Sequence, residues 1–586
     1  MIGLVAVTAA GRAAAARLAA AWPDETRPYD GPAATALPQA FGAADAVVVF
    51  LAVGATVRLL APLLRDKRHD PGVVCVDEAL RFAVPVAGAH AGGANDLARR
   101  VAAVLGAEPV ITTASDAAGA VALDGFGADL GFVVEPGSEL AAVGTVVLSG
   151  QRVTLSTDTT WPLPPLPPAV VAGQPEPGVP AIIVTDRARV EHDAPTVIYR
   201  PPSLVIGLGS SRGVPAEEVD ALIDQALAAA GLSPSSVHTV ATVDLKQDEP
   251  GLVTAVVKRG WPLAFFSAAD LAQVNVPNPS ETVRASVGTP SVAEAAALLA
   301  ASASNPALPG PTAPNPAALV VPKQTSPHAT VAIARRPARG RLAIVGIGPG
   351  ARDLLTPRAA AELRRASIVV GLDQYLNQVA DLLRPGTVLR SSRLGQEQER
   401  ATAAVADAAA GHAVALIGSG DAGIYAMGSP ALESADATID VVGVPGVTAA
   451  LAAAATLGAP LGHDHVMISL SDLHTPWEVI ERRVSAAADA DLVVCFYNPA
   501  SRERDWQLRK AVAILADQRP PGTPVGWVRD ATRPDQSTGL ATLATFDPAA
   551  IDMRTMVIVG SSRTRLFAGR MVTPREYRWG TTREET

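Results

Sequence analysis

The chain has 586 residues and a formal net charge of -9, with hydrophobic residues at 48% and aromatics at only 4%. That length suits roughly three to four domains of about 150 residues, and the acidic balance argues against non-specific nucleic-acid binding. Cys75 and Cys495 are too few and too far apart for a disulfide framework or a cysteine zinc site, so no metal is expected and a reducing cytoplasm is the expected setting.

Met1–Val7 reads as a first strand and not a signal peptide, because no basic segment precedes the apolar residues. Short β-branched runs then alternate with Ala/Leu-rich ones. Strands are predicted at Val47–Leu51, Val73–Val76 and Val110–Thr113, and helices at Thr56–Leu64 and Ala94–Leu105. This alternation predicts several α/β domains with parallel sheets. Polar and glycine-rich segments sit between: Asp66-Lys67-Arg68-His69-Asp70, Asp77-Glu78, and Gly88-Ala89-His90-Ala91-Gly92-Gly93-Ala94-Asn95. Trp161–Pro180 is proline-rich and predicted extended. A second break surrounds Arg200-Pro201-Pro202, and Asn305–Pro316 reads as a loop. The strand Thr239–Val243 runs into Asp244, Lys246 and Glu249; Leu319–Val321 and Thr330–Ala334 are strands again. The clearest boundary is Arg335–Gly340, because a fresh strand starts at Leu342. The longest uncharged stretch, Val441–Gly462, contains Pro445, Gly446 and Pro460 and predicts turns, not a membrane helix.

The strand Leu342–Val345 leads into Gly346-Ile347-Gly348-Pro349-Gly350, where glycines let the backbone approach a ligand. Two details oppose a dinucleotide site. The helix opens only at Thr356-Pro357, a good N-cap with proline at the first helical position. The second strand, Ser367–Val370, ends in Gly371, not in an acidic ribose ligand. Three more strands run into loops in the same way. Val414–Ile417 precedes Gly418-Ser419-Gly420-Asp421-Ala422-Gly423-Ile424-Tyr425, Val441-Val442 precedes Gly443-Val444-Pro445-Gly446-Val447-Thr448-Ala449-Ala450, and Leu492–Phe496 precedes Tyr497-Asn498-Pro499.

Four such loops in this order resemble the tetrapyrrole (corrin/porphyrin) methyltransferase family, over Arg341 to Trp579. Arg529-Asp530-Ala531-Thr532-Arg533-Pro534-Asp535-Gln536, Val557-Ile558-Val559-Gly560-Ser561-Ser562 and Thr573-Pro574-Arg575-Glu576-Tyr577 look most like its precorrin-3B C(17)-methyltransferase branch. The resemblance implies two α/β lobes with a cofactor cleft, S-adenosylmethionine as cofactor, and a homodimer. Carried over motif by motif, it implies cofactor contacts from Pro349, Ser419, Gly420, Asp421, Ile424, Thr448 and Ala449, with Tyr497 and Ala531 as further candidates. Ala422 stands where the family often has proline. Asp421 would help to hold the cationic amino-acid portion of the cofactor, or else cap its loop. The implied substrate is a macrocycle with many carboxylates, which Arg390, Arg393, Arg529 and Arg533 could pair. The implied nucleophile is ring carbon 17, methylated with ring contraction. No general base is legible; His412 and His463 read as structural or exposed.

The N-terminal motifs are similar to the cobalt-precorrin-5A hydrolase family (cobalamin biosynthesis protein G), which opens a lactone and releases acetaldehyde. The similarity extends over Val205–Gly213, Glu294–Leu298 and Val321–Gln324. Ser210 stands where relatives often carry cysteine, and Ala89 departs from a common Ser-Gly-His wording. No Ser-His-Asp arrangement or Gly-x-Ser-x-Gly elbow is legible. Lactone opening could use water activated by His90 or Glu78, with Arg58 or Lys67 holding ring carboxylates. The glycines of Gly88–Asn95 either bind carboxylates through backbone N–H groups or only turn the chain. Asp244, Lys246 and Glu249 form a second polar cluster. The expected domains are 1–120, 121–200 and 201–336, all of the hydrolase-like part, and the methyltransferase at 341–580. The partners expected are precorrin substrates and other corrin-pathway enzymes. The alternative reading is a methyltransferase whose N-terminal part binds corrinoids without catalysis.

Overall fold

A computed structural model describes residues 1–66, 69–89, 92–112, 123–302, 317–337, 339–436, 438–501 and 504–575. The chain forms two compact units: residues 1–159, 164–338 and 384–386 make the first, and residues 160–163, 339–383 and 387–586 the second. Both are α/β, and no helix among the described residues is long and apolar enough to cross a membrane.

The first unit holds three sheets. The N-terminal sheet has the order β2-β1-β3-β4-β5-β6, with β1 Ile2–Ala6, β2 Thr26–Tyr29, β3 Ala46–Phe50, β4 Gly72–Val76, β5 Phe82–Ala87 and β6 Glu108–Pro109. β1 to β4 are parallel, and β5 turns back antiparallel to β4. Val47 to Val49 and Val73 to Val76 are fully buried, the continuous apolar wording of strands covered on both faces. The middle sheet has the order β7-β11-β10-β8-β9, with β7 Val133–Val134, β8 Val153–Thr157, β9 Val170–Ala172, β10 Ala181–Val184 and β11 Thr196–Arg200. In the third sheet, β14-β13-β12-β16-β15, the strands β12 Leu204–Ser210, β13 Val237–Val243 and β14 Leu263–Phe266 are parallel, and the hairpin β15 Ala318–Thr325 and β16 Ala329–Arg335 lies beside β12. Gly207 lets the helix Ala293–Ser302 lie directly on β12, because a Cβ there would sit 1.9 Å from the Ala293 carbonyl oxygen.

The second unit has two lobes. The first is an all-parallel sheet, β19-β18-β20-β17-β21, of β17 Gly340–Gly346, β18 Ile368–Leu372, β19 Val388–Ser392, β20 Ala413–Gly418 and β21 Ile439–Val444. The second is mixed, β23-β24-β27-β25-β26, of β23 His465–Ser469, β24 Val493–Tyr497, β25 Pro524–Arg529, β26 Ser537–Thr542 and β27 Thr555–Val559. A small sheet joins β22 Gly458–Ala459 to the hairpin β28 Arg565–Phe567 and β29 Arg570–Val572.

Several local expectations shift. Val110, Ile111 and Thr112 are not strand: β6 ends at Pro109 because it pairs with only Phe82 and Ala83 of β5. Thr113 lies outside the described residues, as do Asn305–Pro316, Glu576 and Tyr577. The helix expected over Thr56–Leu64 is Val53–Leu60. It starts straight after β3 without a side-chain cap and ends at Leu60, with Ala61 still in helical backbone as its C-cap and Pro62 next in the chain. The proline-rich stretch Trp161–Pro180 includes the short strand β9. The boundary strand begins at Gly340, two residues earlier than Leu342.

Candidate active sites

In the first lobe β17 lies between β20 and β21, so three of the glycine-bearing loops leave one edge of the sheet side by side. They are in backbone contact. Gly348 and Gly420 exchange hydrogen bonds, Gly348 N–H to the Gly420 oxygen at 3.0 Å and Gly420 N–H to the Gly348 oxygen at 2.8 Å. A Cβ on Gly446 would lie 2.1 Å from the Gly420 oxygen, and one on Gly346 would lie 2.7 Å from it. Gly420 has φ +68°, which an L side chain rarely adopts, and its missing Cβ would face Thr448 and Ala449 at 3.4 and 3.5 Å. The result is a shallow cradle of main chain, open to close approach by a ligand and closed to bulky side chains.

Around the cradle the structure gathers residues from both lobes. The Thr448 hydroxyl bonds the Tyr497 phenol, which also accepts from Ala450 N–H at 3.2 Å. The Tyr425 ring lies 5.2 Å from that of Tyr497, and its hydroxyl donates to the Met467 oxygen at 2.7 Å. Burial pushes both phenols above their usual range, so both remain neutral donors near neutral pH. Asp421 accepts from Gly423 N–H at 2.8 Å and from Gly446 N–H at 3.0 Å. Its carboxylate therefore staples two loops together, with one bond to each oxygen. Ser419 and Ile424 flank this staple, both half-buried, and Ala531 is buried. Gly420, Thr448, Ala449 and Tyr497 thus lie together, while Pro349 is tied to the second lobe through Arg533.

In the first unit, the candidates separate. Arg58 and Glu78 follow β3 and β4, at their carboxyl ends, and both are exposed. Among the described residues the Arg58 guanidinium bonds its own helix, at the Gly54 oxygen, 3.2 Å away. Gly88 and Gly92 lie at the other end of β4. Cβ atoms on them would meet Gly72, Gly88 at 2.9 Å from its Cα and Gly92 at 2.6 Å from its nitrogen. β4 spans five residues, about 13 Å at the usual rise. Glu78 therefore lies at the opposite end of β4 from the described ends of the Gly88–Asn95 loop. His90 and Lys67 lie outside the described residues. Two other amides of the segment are used within it: Ala94 N–H donates to the Gly88 oxygen at 3.0 Å and Asn95 N–H to the Ala89 oxygen at 2.9 Å. In the third sheet Glu249 accepts from Gly213 N–H at 2.8 Å and faces Lys246 at 3.4 Å, bracing the loop after β12, while Asp244 is exposed. Ser210, at the end of β12, has a buried hydroxyl with no hydrogen-bond partner among the described residues.

The description Tetrapyrrole (Corrin/Porphyrin) Methylases matches residues 341–547. Cobalamin synthesis G N-terminal, Cobalamin biosynthesis central region and Cobalamin synthesis G C-terminus match residues 35–116, 121–201 and 204–334. A probable cobalt-factor III C(17)-methyltransferase of Salmonella typhimurium is 46% identical over 239 residues, covering 40% of this chain and 99% of the relative. A cobalt-precorrin-5A hydrolase of Priestia megaterium is 34% identical over 287 residues, covering 46% of this chain and 76% of the relative. The chain belongs to the tetrapyrrole methylases and, in its N-terminal part, to the cobalamin synthesis G family. A longer relative, cobalamin biosynthesis protein CobIJ of Mycobacterium tuberculosis, is 42% identical over 248 residues, covering 41% of this chain; the match spans about half, 48%, of that relative.

In the methylase region the expected substrate arginines are mostly engaged already. Arg390 is paired with Asp407 through two contacts at 2.7 and 2.8 Å, and Arg529 with Asp552 at 2.7 Å. Arg533 donates to the Pro349 oxygen at 3.0 Å. The Arg393 side chain is exposed and makes no such bond among the described residues; its main chain bonds Gln396 and Arg400. His412 and His463 are exposed. Tyr425, Asn498 and Thr532 lie in the quoted motifs without being singled out there, and Gln378 lies outside them; all four make side-chain hydrogen bonds near these loops. Tyr425, Asn498, Asp530 and Thr532 all have positive φ, +51°, +51°, +49° and +64°, a concentration of strain in the loops that face the cradle. Nothing in a list of residue types marks such backbone.

Proposed function

We propose that the chain is a bifunctional enzyme of corrin-ring biosynthesis. Its region 341–580 methylates ring carbon 17 of (cobalt-)precorrin-3 with ring contraction, using S-adenosylmethionine. Its region 1–336, in domains 1–120, 121–200 and 201–336, opens the lactone of cobalt-precorrin-5A with release of acetaldehyde. The observation that carries the first activity is the glycine cradle, with Thr448 and Tyr497 hydroxyls at its rim. Such a surface fits a ligand that must lie against main chain, and its neutral donors do not repel a sulfonium. S-adenosylmethionine supplies a methyl carbon already activated for in-line attack. Gly346, Gly420 and Gly446 then allow close seating, Thr448 and Tyr497 orient the ligand, and the apolar lobe surfaces exclude water. We further propose a homodimer built through the methylase region, transient association with other corrin-pathway enzymes, and a cytoplasmic setting. The unpaired, buried thiols of Cys75 and Cys495 suit a reducing compartment.

Anaerobic incubation of the full chain with the methyl donor and precorrin-3, with and without cobalt, tests the first activity. A product heavier by one methyl group and contracted in its ring is expected from one of the two macrocycles. No methylated product from either overturns it. Acetaldehyde released from cobalt-precorrin-5A tests the second; binding of that corrinoid without acetaldehyde leaves the non-catalytic reading in its place.

A further inference from the structure

Every backbone polar group displayed by the turn Gly348–Ala351 that has a partner is held from outside the turn. Gly348 is held by Gly420. The Pro349 oxygen accepts from Arg533 Nε at 3.0 Å, the Gly350 oxygen from Gln378 Nε2 at 3.3 Å, and Ala351 N–H donates to Thr532 Oγ1 at 3.1 Å. Arg533 and Thr532 belong to the second lobe, in the loop between β25 and β26. Gly350, at φ +154°, is shaped to admit that contact: a Cβ there would lie 2.5 Å from Arg533 Cγ. The gripping loop is itself braced. Asp530, buried, accepts from Arg554 Nε at 2.6 Å, Arg533 N–H donates to the Asp530 oxygen at 2.9 Å, and Thr532 N–H to Gln536 Oε1 at 2.6 Å. Two residues of the loop, Asp530 and Thr532, sit at positive φ. Braced, unfavourable backbone of this kind persists where the surroundings over-determine it and commonly serves a site.

We propose that Thr532 and Arg533 are positioning residues: a latch by which the second lobe fixes the Pro349 turn of the first, and so sets the seat of the methyl donor. Arg533 thereby has a task other than pairing a substrate carboxylate. The latch rests on the reading of this cleft as the S-adenosylmethionine site. It joins the Pro349 turn of the first lobe to the β25–β26 loop of the second. Loss of either partner leaves the turn free to move and costs donor binding its pre-organisation.

The test uses the full chain and two readouts that need no turnover. S-adenosylmethionine affinity is measured by calorimetry for the wild type, Thr532→Val, Thr532→Ser and Arg533→Ala, and amide exchange is followed in peptides covering residues 346–354 without donor. Thr532→Val keeps the shape but loses the acceptor; Thr532→Ser restores it. Weakening of donor binding by about tenfold is expected for Thr532→Val and Arg533→Ala, the scale of one well-placed hydrogen bond, with faster exchange in the turn and near wild-type behaviour for Thr532→Ser. Unchanged donor affinity in both weakened variants overturns the latch. So does an Arg533→Ala enzyme whose KM rises for the macrocycle while donor affinity and exchange stay at wild-type values, which makes Arg533 a substrate ligand. A wild type that does not bind the donor at all overturns the cofactor reading instead, and the exchange data still report whether the turn is latched.

Discussion

Gly420 and Tyr497 show how single residues hold the methyl-donor cradle. Gly420 combines left-handed backbone with two loop contacts. Gly420→Val adds both strain, about 1–2 kcal/mol for a left-handed L residue, and branches directed at Thr448. The variant should unfold cooperatively but lose donor binding in calorimetry; full affinity would rule out the cradle as the donor seat. Thr448→Trp makes the same test from the other side, because Thr448 is buried against Tyr497. Tyr497 gives a pH prediction. Burial raises its phenol above the ordinary tyrosine value of about 10, against which the Thr448 and Ala450 bonds act. A raised pKa means the folded state keeps its proton longer than the unfolded chain. The resulting stability is complete below pH 10 and drains away as the pH rises through the folded value. Thermal midpoints of the wild type should fall above pH 10 more steeply than those of Tyr497→Phe; identical slopes would show that the buried phenol contributes nothing.

At the scale of elements, what is local in sequence could be read and what is distant could not. The helix Ala94–Leu105 lies where its pattern placed it. So does the opening of the helix Pro357–Arg365, because Thr356 caps it with its own hydroxyl, accepting from Ala359 N–H at 3.1 Å. Cap and proline act within one turn, so residue order alone reveals them. The helix Val53–Leu60 carries no such cap signal, and its start was placed three residues late. The Thr532–Ala351 contact joins residues 181 apart, and no period or motif reports it. Gly72, Gly88 and Gly92 are an intermediate case. The glycines of the 88–95 segment are legible in the sequence, but their purpose, letting backbone segments touch at Gly72, depends on the β4–β5 pairing. Gly72→Ala should therefore act on stability. Its Cβ would lie 2.1 Å from the Gly92 oxygen, and backbone cannot yield as a side chain does, so a loss of about 1–3 kcal/mol is expected. Differential scanning calorimetry should show one transition lowered while methyl transfer at 25 °C is retained. An unshifted thermogram would mean that the loop relaxes freely.

The two activities occupy separate stretches of one chain, so a lesion in one should leave the other intact. The reactions are not consecutive in the proposed pathway: ring contraction forms the lactone, another methylation intervenes, and the lactone is then opened. Direct hand-off between the halves is thus a weaker reason for the fusion than shared dosage, or docking of the intervening enzyme. For lactone opening, the two ends of β4 offer rival sites, and water attack needs a base within hydrogen-bond reach of the water. Glu78 stands in a turn where Asp77 takes the amides of Arg81 and Phe82, both at 2.7 Å, an arrangement that closes a hairpin and leaves Glu78 exposed. The segment bearing His90 starts and ends on glycines packed against Gly72, which fixes its ends without side-chain help. We therefore expect His90→Ala to slow acetaldehyde release from cobalt-precorrin-5A by about 10²-fold, the usual scale for losing an acid–base group. Glu78→Gln should stay within about threefold of wild type, well inside that scale, and neither should alter methyl transfer at ring carbon 17. The reverse pattern would move the site to the carboxyl ends of β3 and β4, beside Arg58. Equal loss in both variants would contradict the separation of Glu78 from the described ends of that loop.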